Sequence, residues 1–259
     1  MHLFKSIIIA ISMFSKIPVP TLKWEKEDMK YSLAAFPLIG VIIGVLCFLW
    51  YKLMLHFEFS NLIMSVGLLL IPIIITGGLH LDGFCDTSDA LASRAPMEKK
   101  LEILKDPRIG AFGVINLAIY LIAYFVFILE FPKTDAFVIC FSFSFLLSRA
   151  LSGLSLVLFR ISSESSIGKA FATPASKMIC RAIFVSLVLV SSIIIIYFGG
   201  FAGMAAIIIA AFSFIIFKMK VINQFGGTSG DLTGWFVQVV ELIIPLTIVF
   251  AHHIIGVLI

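Results

Sequence analysis

Seven apolar stretches, each about 20 residues long, recur along the chain and limit its fold more than any other feature. They cover roughly 34 to 51, 62 to 79, 111 to 130, 136 to 159, 182 to 198, 201 to 217 and 236 to 258. A helix of about 20 apolar residues crosses the ~30 Å hydrocarbon core of a bilayer, where each backbone N–H and C=O must be paired within the protein. The chain is therefore expected to be an all-α, polytopic integral membrane bundle of about seven spans. Composition agrees, since 61% of the 259 residues are hydrophobic and 13% charged, with a mean hydropathy of +1.13. A soluble domain of this length cannot bury so much apolar surface. No repeat, low-complexity segment or soluble region interrupts the pattern, so residues 1–259 read as one domain.

Two places depart from simple spans. The sixth run is short and joins the fifth only through Gly199 and Gly200, so it is either tilted or half of a tight helical hairpin. The opening MHLFKSIIIAISMFSKIPVP has an apolar core of about ten residues between Lys5 and Lys16, too short to span, and reads as an interfacial or re-entrant helix. A cleaved signal peptide is the alternative, but no small-residue cleavage site precedes Pro18 and Pro20.

Basic residues orient the spans. Apart from Lys52, Lys133 and the in-span Arg149, every lysine and arginine falls on one side, including Lys23, Lys26, Lys30 and Lys169. The positive-inside rule makes that side cytoplasmic, with the N-terminus inside and the C-terminus outside. The net charge of +4 follows from this arrangement, and no arginine-rich arm or aromatic-basic alternation points to nucleic acid. Cys47, Cys85, Cys140 and Cys180 are widely spaced, which fits neither a disulfide framework nor a thiolate zinc site.

The chemistry begins at GGLHLDGFCDTSDALASR, residues 77 to 94, directly after the second apolar run. On a helix Asp82, Asp86 and Asp89 stand at i, i+4 and i+7, on one face. Charges about 6 Å apart repel by roughly 3 kcal/mol at an effective dielectric of about 20. Such a patch calls for a cation, and hard carboxylate oxygens suit Mg²⁺ or Mn²⁺ with waters and phosphates in the remaining positions. The bland alternative is a solvated helix turn whose acids pair with Arg94, Lys99 or Lys100.

Two further segments share that side. KKLEILKDPRIGAFG, residues 99 to 113, adds Lys105, Asp106 and Arg108, cations that suit phosphoryl oxygens beside a metal patch. Glu98, Glu102 and Asp106 repeat at i, i+4 and i+8, but the interleaved lysines favour a solvated amphipathic helix. NQFGGTSGDLTGWFVQVVEL, residues 223 to 242, carries Gly226, Gly227 and Gly230, whose turn could present N–H groups to an anion, then Asp231 and the in-span Glu241. A charge inside a span is paired, protonated or functional, and an Arg149 to Glu241 pair is one such solution.

The series SKIPVP, PLIGVIIG, GGLHLDGFCDTSDAL, LEILKDPRIGAFG, in-span SRAL and GGTSGDLTG, running from residue 15 to 234, resembles the cobalamin synthase family, adenosylcobinamide-GDP ribazoletransferase. The resemblance implies a magnesium-dependent enzyme of a bacterial or archaeal inner membrane, with its site facing the cytoplasm. Such an enzyme joins adenosylcobinamide-GDP to α-ribazole or its 5′-phosphate and releases GMP; other cobamide-assembly enzymes are potential partners. Under this reading Asp82, Asp86 and Asp89 hold Mg²⁺, while Arg108 and Lys105 stabilise the departing GMP. Asp86, Asp89 or His80 takes the proton of the ribazole 5′-hydroxyl, although His80 sits off the aspartate face and also suits a cap or an interface. Lys105, Asp106, Arg94, Gly227, Asp231, Arg149 and Glu241 are the expected substrate contacts.

Two other classes fit parts of the pattern. CDP-alcohol phosphotransferases place an aspartate three residues before the Asp-Gly pair and Ala-Arg shortly after it, where this chain has Leu79 and the stretch from Phe84 to Thr87. A secondary transporter would put ionisable groups at mid-membrane in related halves, whereas these acids cluster at one interface without a visible repeat.

Overall fold

The computed structural model describes residues 2–20, 31–162 and 174–258; Lys23, Lys26, Lys30 and Lys169 lie outside them. Those residues form nine α-helices, α1 (His2–Phe14), α2 (Pro37–His56), α3 (Asn61–Thr76), α4 (Leu79–Ala92), α5 (Met97–Ile103), α6 (Ala111–Glu130), α7 (Asp135–Leu158), α8 (Pro174–Phe225) and α9 (Gly230–Leu258), plus a 3₁₀ turn at Leu33–Ala35. Five helices are long and apolar enough to cross a membrane unaided, and α3 with α4 forms a sixth candidate bent by 90°. As expected from its length, α1 is a short apolar helix that does not reach across.

The helix ends follow local chemistry. Pro37 opens α2 at a position where its missing N–H costs nothing. Ser60 and Thr134 cap α3 and α7 by accepting from the N–H groups of Ile63 and Phe137.

Helix α7 forms the centre. Its small residues let neighbours approach closely, as membrane bundles without a hydrophobic driving force between helices require. Gly40 and Gly44 of α2 meet its backbone so tightly that a Cβ would lie 2.3 Å from the Phe145 carbonyl oxygen and 2.5 Å from that of Ser142. PLIGVIIG is therefore a packing seam. Buried Ser144, Ser148 and Ser155 donate to carbonyls of their own helix, while Ser152 reaches across to the Thr233 carbonyl of α9 at 3.1 Å.

The fifth and sixth apolar runs prove to be two arms of α8, a helical hairpin. Phe184 packs against Gly153, and Gly199 against Cys140, so the first arm follows α7 toward its start. At Gly200 the backbone turns to φ +54° and ψ −131°. Phe214 and Phe217 of the second arm then pack, tilted, against Phe159, back at the far end of α7. Gly203 closes the hairpin, because a Cβ there would sit 2.1 Å from the Ile195 carbonyl oxygen.

The bundle's two ends differ in character. At one, Lys52 pairs with Asp135 at 2.6 Å and the Tyr51 hydroxyl donates to the Lys133 carbonyl. At the other, α5 meets the end of α8 through Lys100 and Gln224, and residues 160–162 bridge to Thr228. The aspartates lie at this second end.

Candidate active site

A pair of glycines makes the acid helix a separate element. Gly77 takes φ +62° and ends α3 by donating to the Ile73 and Ile74 carbonyls; Gly78 takes φ +78° and starts α4. L-residues other than glycine rarely adopt either conformation. The second apolar run thus stops at Thr76, three residues earlier than its composition suggests, and α4 swings away by 90°.

On α4 the three aspartates share a face as expected, but not a role. Asp82 is exposed, whereas Asp86 and Asp89 are half-buried. Asp86 feels the charges of Asp82, Asp231 and Asp89 together. Asp231 joins the group because Gly83 lets α4 touch the first turn of α9; a Cβ on Gly83 would come within 2.7 Å of the Asp231 carbonyl oxygen. Among the described residues no three His, Cys, Asp or Glu side chains form a ready-made metal cage.

Asp89 is already engaged. One carboxylate oxygen accepts the Gly110 N–H at 2.8 Å and the other the Gly113 N–H at 2.9 Å, across the start of α6. Both glycines are required by this contact, since a Cβ on either would fall 2.3–2.4 Å from an Asp89 oxygen. The carboxylate also sits at a helix N-terminus, where the dipole favours negative charge. The glycines of RIGAFG therefore serve a carboxylate clamp, which their sequence alone does not announce.

Within the preceding loop Asp106 and Arg108 hold each other. Arg108 donates through Nε at 2.9 Å, Nη2 at 2.7 Å and its backbone N–H at 3.0 Å. The guanidinium contact, then the backbone one, hold the Asp106 carboxyl down at about 2. Arg108 is 86% exposed, so this pair faces the aqueous side. Asp106 lies beyond the end of α5 at Ile103, so it does not continue a face with Glu98 and Glu102; Glu102 pairs with Lys99. Lys105 belongs to the same loop, and Arg94 ends α4 exposed in a left-handed conformation at φ +52°.

Three expected substrate contacts stand away from the acid face. Gly227 lies against the 160–162 backbone, where a Cβ would be 2.6 Å from the Arg160 carbonyl oxygen, so its absent side chain serves strand-like pairing. Arg149 and Glu241 are fully buried and pair with each other, joined by Ser148. The pairing considered from sequence is thus formed. Yet among the described residues Nε and Nη2 of Arg149 have no partner, nor does the Tyr124 hydroxyl, and both side chains line a small cavity of about 10 Å³ with Gln238, Tyr120 and Thr76. That volume suits a single water.

His80 is 4% exposed, packs edge-on to Phe36 and lies against Gly234 of α9. It belongs to the core side of α4, where the two-residue offset from Asp82 puts it.

An open cavity of about 490 Å³ lies beside Asp82, between the N-terminal segment, the α3–α4 elbow and Leu117 of α6. It brings in Lys16, which the sequence reading had counted only toward topology. A Cβ on Gly77 would lie 2.2 Å from the Lys16 Cγ, so the lysine stem rests on the bare glycine backbone. The Lys16 N–H also donates to the Ile75 carbonyl at 2.8 Å. Lys16 and Gly77 lie 61 residues apart in sequence, and the signals that could have linked them were SKIPVP and the distant glycine pair 77–78.

The chain as a whole, elbow and clamped loop included, is similar to known proteins. A family model described as Cobalamin-5-phosphate synthase matches residues 6–249. The chain belongs to this family. A Lachnoclostridium phytofermentans protein named adenosylcobinamide-GDP ribazoletransferase is 35% identical, over 98% of this chain and 97% of its own. Proteins of the same name from Clostridium botulinum (strain Alaska E43) and Brevibacillus brevis are 34% and 33% identical, over 93% of this chain and 96% of theirs. No solved structure matches the chain. Elbow, clamp and loop all fall inside the matched segment, and this member of the cobalamin synthase family carries Asp82, Asp86 and Asp89 on a helix bent 90° from α3.

Proposed function

We propose that this chain joins the cobinamide and ribazole halves of a cobamide, taking adenosylcobinamide-GDP and α-ribazole or its 5′-phosphate and releasing GMP. Membership of the cobalamin synthase family supports this, and the observation that carries it is the gathering of Asp82, Asp86 and Asp231 beside a basic loop at one end of the bundle. A ribazole hydroxyl attacks the phosphorus that stays with cobinamide. A new P–O bond forms, the bond to GMP breaks, and its electron pair leaves on the GMP phosphate. An acceptor that keeps a 5′-phosphate must attack through a hydroxyl on the ribose ring.

The donor set suits Mg²⁺, which binds through one or two carboxylates with waters and substrate phosphates and so needs no three-residue cage. Asp82 and Asp86 would hold it, with Asp231 beside them; when bound it would neutralise charge on the diphosphate. Asp89 keeps its carboxylate on α6 and fixes the loop against α4. Arg108, exposed and rigidly paired, meets charge developing on the leaving phosphate. With Asp89 tied to α6 and His80 on the core side of α4, Asp86 is the remaining candidate for proton acceptor.

The chain crosses the membrane seven times, counting α3 with α4 as one span and α8 as two, with the N-terminus and active site on the cytoplasmic side of a prokaryotic inner membrane. The cations of the 94–108 loop, Arg160, Lys177, Arg181, Lys218 and Lys220 support this orientation. The test is GMP release by purified protein in liposomes, with and without Mg²⁺. Metal-dependent release with cobamide formation is expected, reduced by about 100-fold or more in Asp82→Asn and Asp86→Asn, in line with the loss of a preorganised charge at a reacting phosphate. Full turnover in both variants would dismiss the metal assignment.

A further inference from the structure

We propose that the cavity between the N-terminal segment and the α3–α4 elbow is a nucleotide subsite, in which the Lys16 ammonium holds the phosphate of a nucleoside 5′-phosphate. The cavity measures about 490 Å³, within the ~300–1,000 Å³ range of small-molecule sites. That is room for one nucleotide but not for a corrin ring with its side chains. Met13, Leu79, Leu81 and Leu117 give apolar surface for a planar base, while Lys16 and Asp82 supply the charged rim.

Lys16 is built for the task. Its backbone is tied to Ile75 and its stem lies on Gly77, yet the ammonium has no hydrogen-bond or ion-pair partner among the described residues. Holding a long side chain in place before binding removes much of the ordering cost that a free lysine would incur. A positioned ammonium facing a cavity wants a compact anion, and phosphate is one that lysine binds as a point charge.

The inner wall gives an independent sign of a ligand. Thr76 and Leu81 line this cavity and also the small one beside it, which Arg149 and Tyr124 line as well, both with donors that lack partners among the described residues. Those side chains are buried beyond reach of bulk water. A heteroatom of the base at the Thr76–Leu81 wall can meet them through the single water that the inner cavity accommodates.

The inference rests on the transferase reading, which offers two nucleoside 5′-phosphates, the departing GMP and α-ribazole 5′-phosphate. The experiment measures KM for α-ribazole, α-ribazole 5′-phosphate and adenosylcobinamide-GDP, together with inhibition by GMP, in wild type, Lys16→Gln, Lys16→Arg and Leu117→Trp. Loss of one charge-assisted contact is expected to weaken the affected constant by about tenfold or more.

If Lys16 holds the acceptor's phosphate, Lys16→Gln raises KM for α-ribazole 5′-phosphate and leaves α-ribazole unchanged. If it holds the donor's, KM for adenosylcobinamide-GDP and the GMP inhibition constant rise together. Lys16→Arg restores the constant, and Leu117→Trp, which fills the cavity, raises the same one. Constants within about twofold of wild type in both Lys16→Gln and Leu117→Trp, a shift well under 1 kcal/mol, overturn the subsite. Should folded wild type release no GMP, the transferase reading has failed instead. Equilibrium binding of GMP and of α-ribazole 5′-phosphate to wild type and Lys16→Gln then decides the subsite by itself: weaker binding of either upholds it, and equal binding of both overturns it.

Discussion

Asp89 differs from Asp82 and Asp86 in where its oxygens go. Both accept backbone N–H groups of the α6 start, so the residue acts on the reaction through the loop it fixes. Hydrogen bonds to a charged acceptor contribute about 1.5–3 kcal/mol each. Asp89→Asn, which retains one acceptor oxygen, should therefore cut turnover by about 10–100-fold if the lost stabilisation is expressed at the transition state. Gly110→Ala displaces the same carboxylate from the other side and should produce a similar loss. Because both changes break one contact, the double variant should be little worse than either, a non-additivity that a mutant cycle measures. Additive losses would mean that the two residues act separately. The i, i+4, i+7 spacing made the shared acid face legible, but spacing cannot show which oxygens a distant loop will occupy. The glycines at 110 and 113 were visible as residues without a purpose until Asp89 stood opposite them.

At the scale of elements, the Gly77–Gly78 elbow turns a sixth span into a helix that presents acids. The two glycines separate two physical effects. Both have left-handed backbones, which cost an L-residue about 1–2 kcal/mol. A side chain on Gly78 meets nothing within 4 Å, whereas one on Gly77 collides with the Lys16 stem. Gly78→Ala is thus expected to lower thermal stability with substrate KM unchanged. Gly77→Ala should lower stability similarly and also shift the constant that depends on Lys16. Equal kinetics in the two variants would deny Lys16 any share in binding. From sequence, apolar length made the span visible and the glycine pair went unused as a stop, because hydropathy continues past Thr76 while the left-handed pair ends the helix. The hairpin in α8 was legible for the opposite reason, since Gly199 and Gly200 interrupt an apolar run too long for one crossing.

Across the whole molecule, class and helix order could be read from hydropathy because a bilayer admits few folds. What could not be read is which faces meet, since apolar residues serve lipid and core alike. Ile122 and Ile193 point outward, while Ile39 and Ile244 are sealed inside. Polar residues in spans break that degeneracy, and Arg149 with Glu241 does so most strongly by tying the central α7 to α9, the helix that carries Asp231. Removing one partner from a buried pair leaves an uncompensated charge and costs about 3–5 kcal/mol, whereas replacing both with apolar side chains of similar size is often nearly neutral. Glu241→Gln should therefore unfold well below wild type in detergent, and the Arg149→Met, Glu241→Met double variant should recover most of the loss. Activity discriminates further. If the pair serves only to join α7 and α9, the double variant turns over with ordinary KM values. If the unpartnered Arg149 donors are read by substrate across the Thr76–Leu81 wall, the double variant is stable yet binds nucleotide poorly. Stability equal to wild type in Glu241→Gln would mean that the bundle is held by its apolar seams alone and that the pair is dispensable to the fold.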